Sequence, residues 1–159
     1  MAIIMYTAAV LTPMSSDLLK WMVRGSLNLE QFGYNFYTKN GELPHYMTIN
    51  MGEIDTELND INLIDIVSVD LWIKEFVYND TLGVAAAPVY SATISNGPIN
   101  KLGKEIKTIN KVPHITLCVK EGSKPYLSNT LLEIQRLETK TYVFDRSYKL
   151  ESWIKECGP

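Results

Sequence analysis

Two short segments hold the only histidines of this chain, 69 positions apart: Leu43-Pro44-His45-Tyr46-Met47-Thr48-Ile49 and Val112-Pro113-His114-Ile115-Thr116-Leu117. Each histidine follows a proline and is soon followed by a threonine. Imidazole is the side chain best suited to moving protons near neutral pH, so two copies of one context point to a paired acid–base site. In an extended strand, side chains two apart share a face. His114 and Thr116 therefore point one way, and Ile115 and Leu117 the other. An imidazole beside a hydroxyl serves one phosphate: the ring moves a proton while the hydroxyl bonds a non-bridging oxygen. Two such strands facing each other would set a histidine on each side of a phosphodiester. One would take a proton from the nucleophile, and the other would give one to the leaving oxygen. The first segment departs from this pattern, because Thr48 stands three residues after His45. A regular strand would put those two on opposite faces, and only a β-bulge would realign them.

Size and charge bound the rest. The 159 residues suit one domain, 1–159, built from two half-repeats, and suffice to bury a core. Two cysteines, Cys118 and Cys157, make no disulfide framework, and together with two histidines they match no zinc spacing. No metal and no cofactor is expected. The opening Met1–Val10 lacks a basic leader, and no apolar run approaches the ~20 residues needed to cross a bilayer, so neither a signal peptide nor a membrane partner is expected. The net charge of −3 argues against long nucleic acid. Acids crowd Glu53–Asp80, whereas six lysines (101, 104, 107, 111, 120, 124) surround the second histidine segment. A local positive field beside an acidic body fits a small anionic ligand.

The elements that must position these residues are legible from periodicity. Ile3–Leu11 reads as a strand ended by Pro13. Ser15 or Ser16 caps a helix through Arg24, with Leu18, Leu19, Met22 and Val23 at helical spacing. Leu27–Tyr37 reads as a second short helix, Lys39-Asn40-Gly41 as a turn, His45–Met51 as a strand and Asp55–Asn62 as a loop. Ile66–Phe76 and Leu82–Val89 read as strands, and Ser95–Lys111 as a long mobile loop. Pro113–Val119 is a strand, Ser128 caps a helix through Arg136, and Thr139–Ile154 alternates like a strand. The order implies an α+β chain of two comparable halves, each with one Pro-His strand.

Pro-His-x-Thr-Leu at 113–117, with its near copy at 44–49, resembles the two-histidine phosphoesterase superfamily. That resemblance implies a two-lobed α+β fold with antiparallel sheets flanked by helices. The opening Ala8-Ala9-Val10-Leu11-Thr12-Pro13 and the segment Gly41–Asn50 are similar to phage anti-CBASS nucleases. The resemblance implies a metal-independent phosphodiesterase that opens 3′–5′ linkages of cyclic di- and trinucleotides such as 3′,3′-cGAMP, in the cytoplasm of an infected bacterium. His45 and His114 would then be the acid–base pair, and Thr48 and Thr116 phosphate ligands.

A nucleobase needs a flat partner. Trp72, on the polar register of its strand, and Trp153, beside Glu151 near the C-terminus, are the candidates, with Tyr6 and Tyr46 behind them. Lys120, six residues after His114, is expected to share its face and meet a phosphate. Three other readings stand beside this one: a 2′,3′-cyclic phosphodiesterase acting on RNA ends, a sponge that binds cyclic nucleotides without cutting them, and an interaction protein whose histidines only pack.

Overall fold

The computed structural model describes residues 5–37, 45–59, 66, 68–134 and 138–158. In chain order the elements are β1 (Tyr6–Leu11), α1 (Pro13–Ser26), a 3-10 turn (Leu29–Phe32), β2 (Tyr34–Phe36), β3 (Tyr46–Met51) and α2 (Thr56–Asn59). There follow β4 (Ser68–Asn79), β5 (Val84–Pro88), β6 (Ser91–Asn96), a second 3-10 turn (Ile99–Lys101), β7 (His114–Lys120), α3 (Leu127–Glu133) and β8 (Lys140–Cys157). The class is α+β with antiparallel pairing, as expected. Among the described residues the strands form one 8-stranded sheet in the order β2-β7-β5-β4-β8-β1-β3, with β6 added beside β4.

Local chemistry explains where these elements begin and end. Thr12, not Ser15 or Ser16, caps α1: its hydroxyl accepts from Ser15 N–H at 3.2 Å, and Pro13 opens the helix instead of merely ending β1. The two serines are buried because their hydroxyls serve strands. Ser15 Oγ accepts from Glu151 N–H at 2.9 Å, and Ser16 Oγ meets His45. Leu27–Tyr37 is not a helix beyond the 3-10 turn. Its aromatic end extends into β2, which pairs with β7 through Tyr34, Asn35 and Phe36. The expected mobile loop is partly strand. It is tied down by the Thr93–Glu105 bridge and by Ile106 N–H to Ala92 carbonyl at 2.8 Å. Ser128 lies inside α3, not at its cap. The turn expected at Lys39-Asn40-Gly41 lies outside the described residues.

The main core lies on one face of the sheet. Val69, Leu71 and Ile73 of β4, Met47 and Ile49 of β3, and Ile115 and Leu117 of β7 pack there with Leu19, Met22 and Val23 of α1. Small residues let β1 and β5 be buried on both faces. Ala9 and Ala85 face this core, whereas Ala8 and Ala86 face two smaller clusters on the other side.

Of the four register shifts among the described strands, two lie in the strands of the histidine segments. Against β1, Ile49 is the extra residue of β3, between Thr48 (opposite Ala8) and Asn50 (opposite Thr7). Against β5, Leu117 is the extra residue of β7, between Thr116 (opposite Ala86) and Cys118 (opposite Ala85). The carbonyls of both bulged residues are bonded to other segments. The Leu117 carbonyl takes Tyr37 N–H at 2.7 Å and the His45 Nε2–H at 3.2 Å. The Ile49 carbonyl takes Ile109 N–H at 2.8 Å.

His45 is thus a fold residue. Its other ring nitrogen, Nδ1, accepts from Ser16 Oγ at 3.1 Å, so one neutral imidazole joins α1, β3 and β7. It is 1% exposed, and burial lowers its pKa to about 4. Protonation therefore favours the unfolded chain. The contribution of His45 to stability is complete above about pH 6.5 and is lost as the pH falls toward 4. Between pH 7 and pH 5 the wild type should lose about 2 kcal/mol more stability than His45→Gln in urea titrations. At pH 7, His45→Ala should cost at least about 1–3 kcal/mol, for the buried groups left unpaired. Equal pH sensitivity in the two proteins would contradict this role.

Candidate active site

The bulges also decide which side chains meet. In β3 the side chains of Tyr46, Thr48 and Met51 share one face, and in β7 those of His114 and Thr116 do. Together they line a cleft of about 250 Å³. Its remaining walls are Tyr6 from β1, Tyr37 after β2, Ile109 and Asn110 from the loop before β7, and Pro125, Tyr126, Ser128 and Asn129 around the start of α3. Thr48 therefore reaches the site while His45 does not. The extra residue follows Thr48 rather than separating it from His45, so the bulge cannot realign the pair. His45 keeps the core side with Met47 and Ile49, and the expected face-to-face histidines do not occur.

His114 is held in one tautomer. Nδ1–H donates to the Val112 carbonyl at 2.7 Å, leaving Nε2 as the lone-pair nitrogen. Ser128 Oγ lies 2.9 Å from that nitrogen. Thr116 donates to the same Ser128 Oγ at 2.9 Å, and the Pro125 carbonyl is a second acceptor for the serine proton at 2.8 Å. This arrangement satisfies both charge states of the ring. With neutral His114, the serine O–H can point to Nε2. With protonated His114, Nε2–H donates to Oγ and the serine proton turns to Pro125. Burial lowers the His114 pKa, against the Val112 carbonyl and Glu133, which raise it.

The same cleft carries an aromatic cluster. The rings of Tyr6 and Tyr46 stack at 5.2 Å, and the Tyr37 and Tyr46 hydroxyls are 3.3 Å apart. Burial lifts the Tyr46 pKa far above the ordinary phenol value, with Tyr37 adding to it, and pushes that of Tyr6 up to about 12. Among the described residues no group of three His, Cys, Asp or Glu side chains is arranged to hold a metal ion.

Other expected ligands lie elsewhere. Lys120 is carried off the His114 face by the bulge at Leu117. It sits 5.1 Å over the Tyr34 ring and 3.6 Å from Asp80. Glu151 and Trp153 line a separate groove with Ser68, Asp70, Ser95, Asn96 and Lys149. Trp72 is on the face opposite Leu71 and Ile73, as expected, yet it lines neither that groove nor the cleft. Tyr6 does reach the cleft. Sequence reasoning missed Ser128, Tyr37, Tyr126, Asn110 and Asn129, which carry no local signature. It ranked Tyr46 low, although Tyr46-x-Thr48 repeats the spacing of His114-x-Thr116.

Against known proteins, residues 39–151 match the family model of the fungal tRNA ligase phosphodiesterase domain, well over half of the chain. The chain belongs to this family. It is thereby a member of the two-histidine phosphoesterase superfamily and a phosphodiesterase-type hydrolase domain by kinship. The crystal structure of a fungal RNA kinase matches 94% of the chain at a TM-score of 0.55 and 15% identity, a likeness of fold alone. The chain spans 45% of that structure's length. No curated protein matches the sequence. Neither finding concerns anti-CBASS nucleases in particular.

The chain's two histidines make the site directly measurable. In a proton NMR titration both imidazole Cε1–H signals should move with midpoints below 6.5, His45 near pH 4. A midpoint at or above 6.5 for His114 would contradict the buried, serine-bonded imidazole.

Proposed function

We propose that this domain opens the 2′,3′-cyclic phosphate at the end of an RNA. His114 is the base, and Thr48 and Thr116 are the hydroxyl ligands of the phosphate. One observation carries the reading: an imidazole with its lone pair on Nε2 and two threonines from separate strands line a single cleft. Kinship with the fungal tRNA ligase phosphodiesterase domain supports phosphodiester hydrolysis over other acid–base chemistries. Nε2 takes a proton from water, the water oxygen bonds to phosphorus, and one ring oxygen departs and is protonated. Asn129 Oδ1 beside the cleft is buried without a hydrogen-bond partner among the described residues, and a ribose hydroxyl would supply its donor.

The same groups suit the 3′–5′ linkage of a cyclic di- or trinucleotide, the substrate that the likeness to phage anti-CBASS nucleases suggests. With that substrate the domain would act in the cytoplasm of an infected bacterium. Among the described residues no helix is long and apolar enough to cross a membrane. Capture without cutting is a further reading, favoured by the tyrosine that faces the cleft where a second imidazole was expected.

Incubation in excess EDTA with an oligoribonucleotide ending in a 2′,3′-cyclic phosphate, and separately with 3′,3′-cGAMP, separates these readings by chromatography. The RNA end should open to a phosphomonoester. His114→Ala should slow that by at least about 10²-fold, while His45→Ala lowers stability without a comparable loss of rate per folded molecule. Linear product from 3′,3′-cGAMP alone would move the assignment to cyclic oligonucleotides. Stoichiometric recovery of intact ligand on heating, with no product from either substrate, would replace hydrolysis by capture.

A further inference from the structure

The two strand pairs that build the cleft share one register pattern. In the first, Val10 lies opposite Tyr46 and Ala8 opposite Thr48. Ile49 then bulges, and Tyr6 lies opposite Met51. In the second, Pro88 lies opposite His114 and Ala86 opposite Thr116. Leu117 then bulges, and Val84 lies opposite Val119. Counted from either bulge, Tyr46 holds in β3 the position that His114 holds in β7.

We propose that Tyr46 is the acid of the site, giving its phenolic proton to the oxygen that leaves phosphorus while His114 takes one from the attacking water. The inference rests on the phosphodiesterase reading above. A base and a proton donor from separate strands line this one cleft, as such hydrolysis requires. A phenol that stays protonated at working pH can pass its proton to the ribose oxygen as the P–O bond breaks. In the balanced step the water O–H proton goes to His114 Nε2 and the water oxygen bonds to phosphorus. The P–O bond to the ribose oxygen breaks, and the Tyr46 proton passes to that oxygen. The imidazolium then loses its proton, and the phenolate regains one through Tyr37, whose hydroxyl is 3.3 Å away and can act as donor or acceptor.

The surroundings keep Tyr46 protonated. The titratable groups facing it are Tyr6 from β1, stacked at 5.2 Å, and Tyr37 from the segment after β2, with Cys157 of β8 bordering Tyr6. Burial holds the Tyr46 pKa far above its ordinary value. The pH profile should therefore rise through the titration of His114 and then hold level. A second imidazole would instead add a falling alkaline limb.

The test uses two substrates with Tyr46→Phe and Tyr46→His. One is the oligoribonucleotide with a 2′,3′-cyclic phosphate, which expels an alkoxide. The other is a p-nitrophenyl phosphodiester, which expels a phenolate that needs no proton. Phenylalanine keeps the ring contacts, and circular dichroism verifies the fold. Tyr46→Phe should slow RNA-end opening by at least about 10²-fold and slow p-nitrophenolate release far less. Tyr46→His should keep RNA-end activity and acquire a falling alkaline limb in kcat/KM. Wild-type RNA-end rates in Tyr46→Phe, or equal losses on both substrates, would overturn the assignment. If the wild type hydrolyses neither substrate, the phosphodiesterase reading falls, and the role of Tyr46 with it.

Discussion

Two backbone carbonyls, those of the bulged residues Ile49 and Leu117, tie together the segments that build the cleft. The Leu117 carbonyl is claimed by Tyr37 N–H and His45 Nε2–H, and the Ile49 carbonyl by Ile109 N–H. The first pair of bonds draws β3 and the end of β2 onto β7. The second brings the loop before β7 against β3, so that Ile109 and Asn110 become walls of the cleft. The same bulges turn Met51 toward the cleft and send Lys120 away from it. The bonds that hold β3 and its neighbours near β7 therefore also assemble the site.

Environment gives the two histidines opposite tasks. His45 has both ring nitrogens engaged within the core, by Ser16 and by the Leu117 carbonyl, and joins three elements as a neutral ring. His114 also has both nitrogens engaged, but one partner is a serine hydroxyl at the cleft that can either donate or accept. That difference leaves His114 able to change charge without orphaning a buried group, whereas protonated His45 would set a charge in apolar surroundings. A pair alike in sequence is split between the core and the cleft.

Kinship with the fungal tRNA ligase phosphodiesterase domain accounts for the fold and the class of chemistry. Within the chain, the phenol at position 46 holds the register place that His114 holds in the second strand pair. Stacked on Tyr6 and bonded to Tyr37, Tyr46 makes one wall of the cleft aromatic and proton-bearing, while the other is an imidazole backed by serine and threonine. The asymmetry is built on a symmetric frame, since the two strand pairs agree in register around their bulges.

By itself the sequence determined what is local. Period-two alternation placed β3, β4 and β7. Helical spacing placed α1, and His114-x-Thr116 was legible as a shared face because two residues of strand suffice to define one. Which face of a strand looks inward is not local. His45 and His114 have matching neighbours in sequence, yet one enters the core and the other the cleft, because the sheet closes around Leu117 and α1 packs on the His45 side. The bulges were equally hidden, since a one-residue insertion in a ladder shows only against the partner strand. That displaced Lys120 from its expected face. Trp153 and Glu151 show the same limit: their strand was legible, but whether they border the cleft or a second groove depended on the order of strands across the sheet. Ser128 became part of the site only when α3 folded against β7, because a hydroxyl in a helix acquires its meaning from the side chains that tertiary packing brings to it.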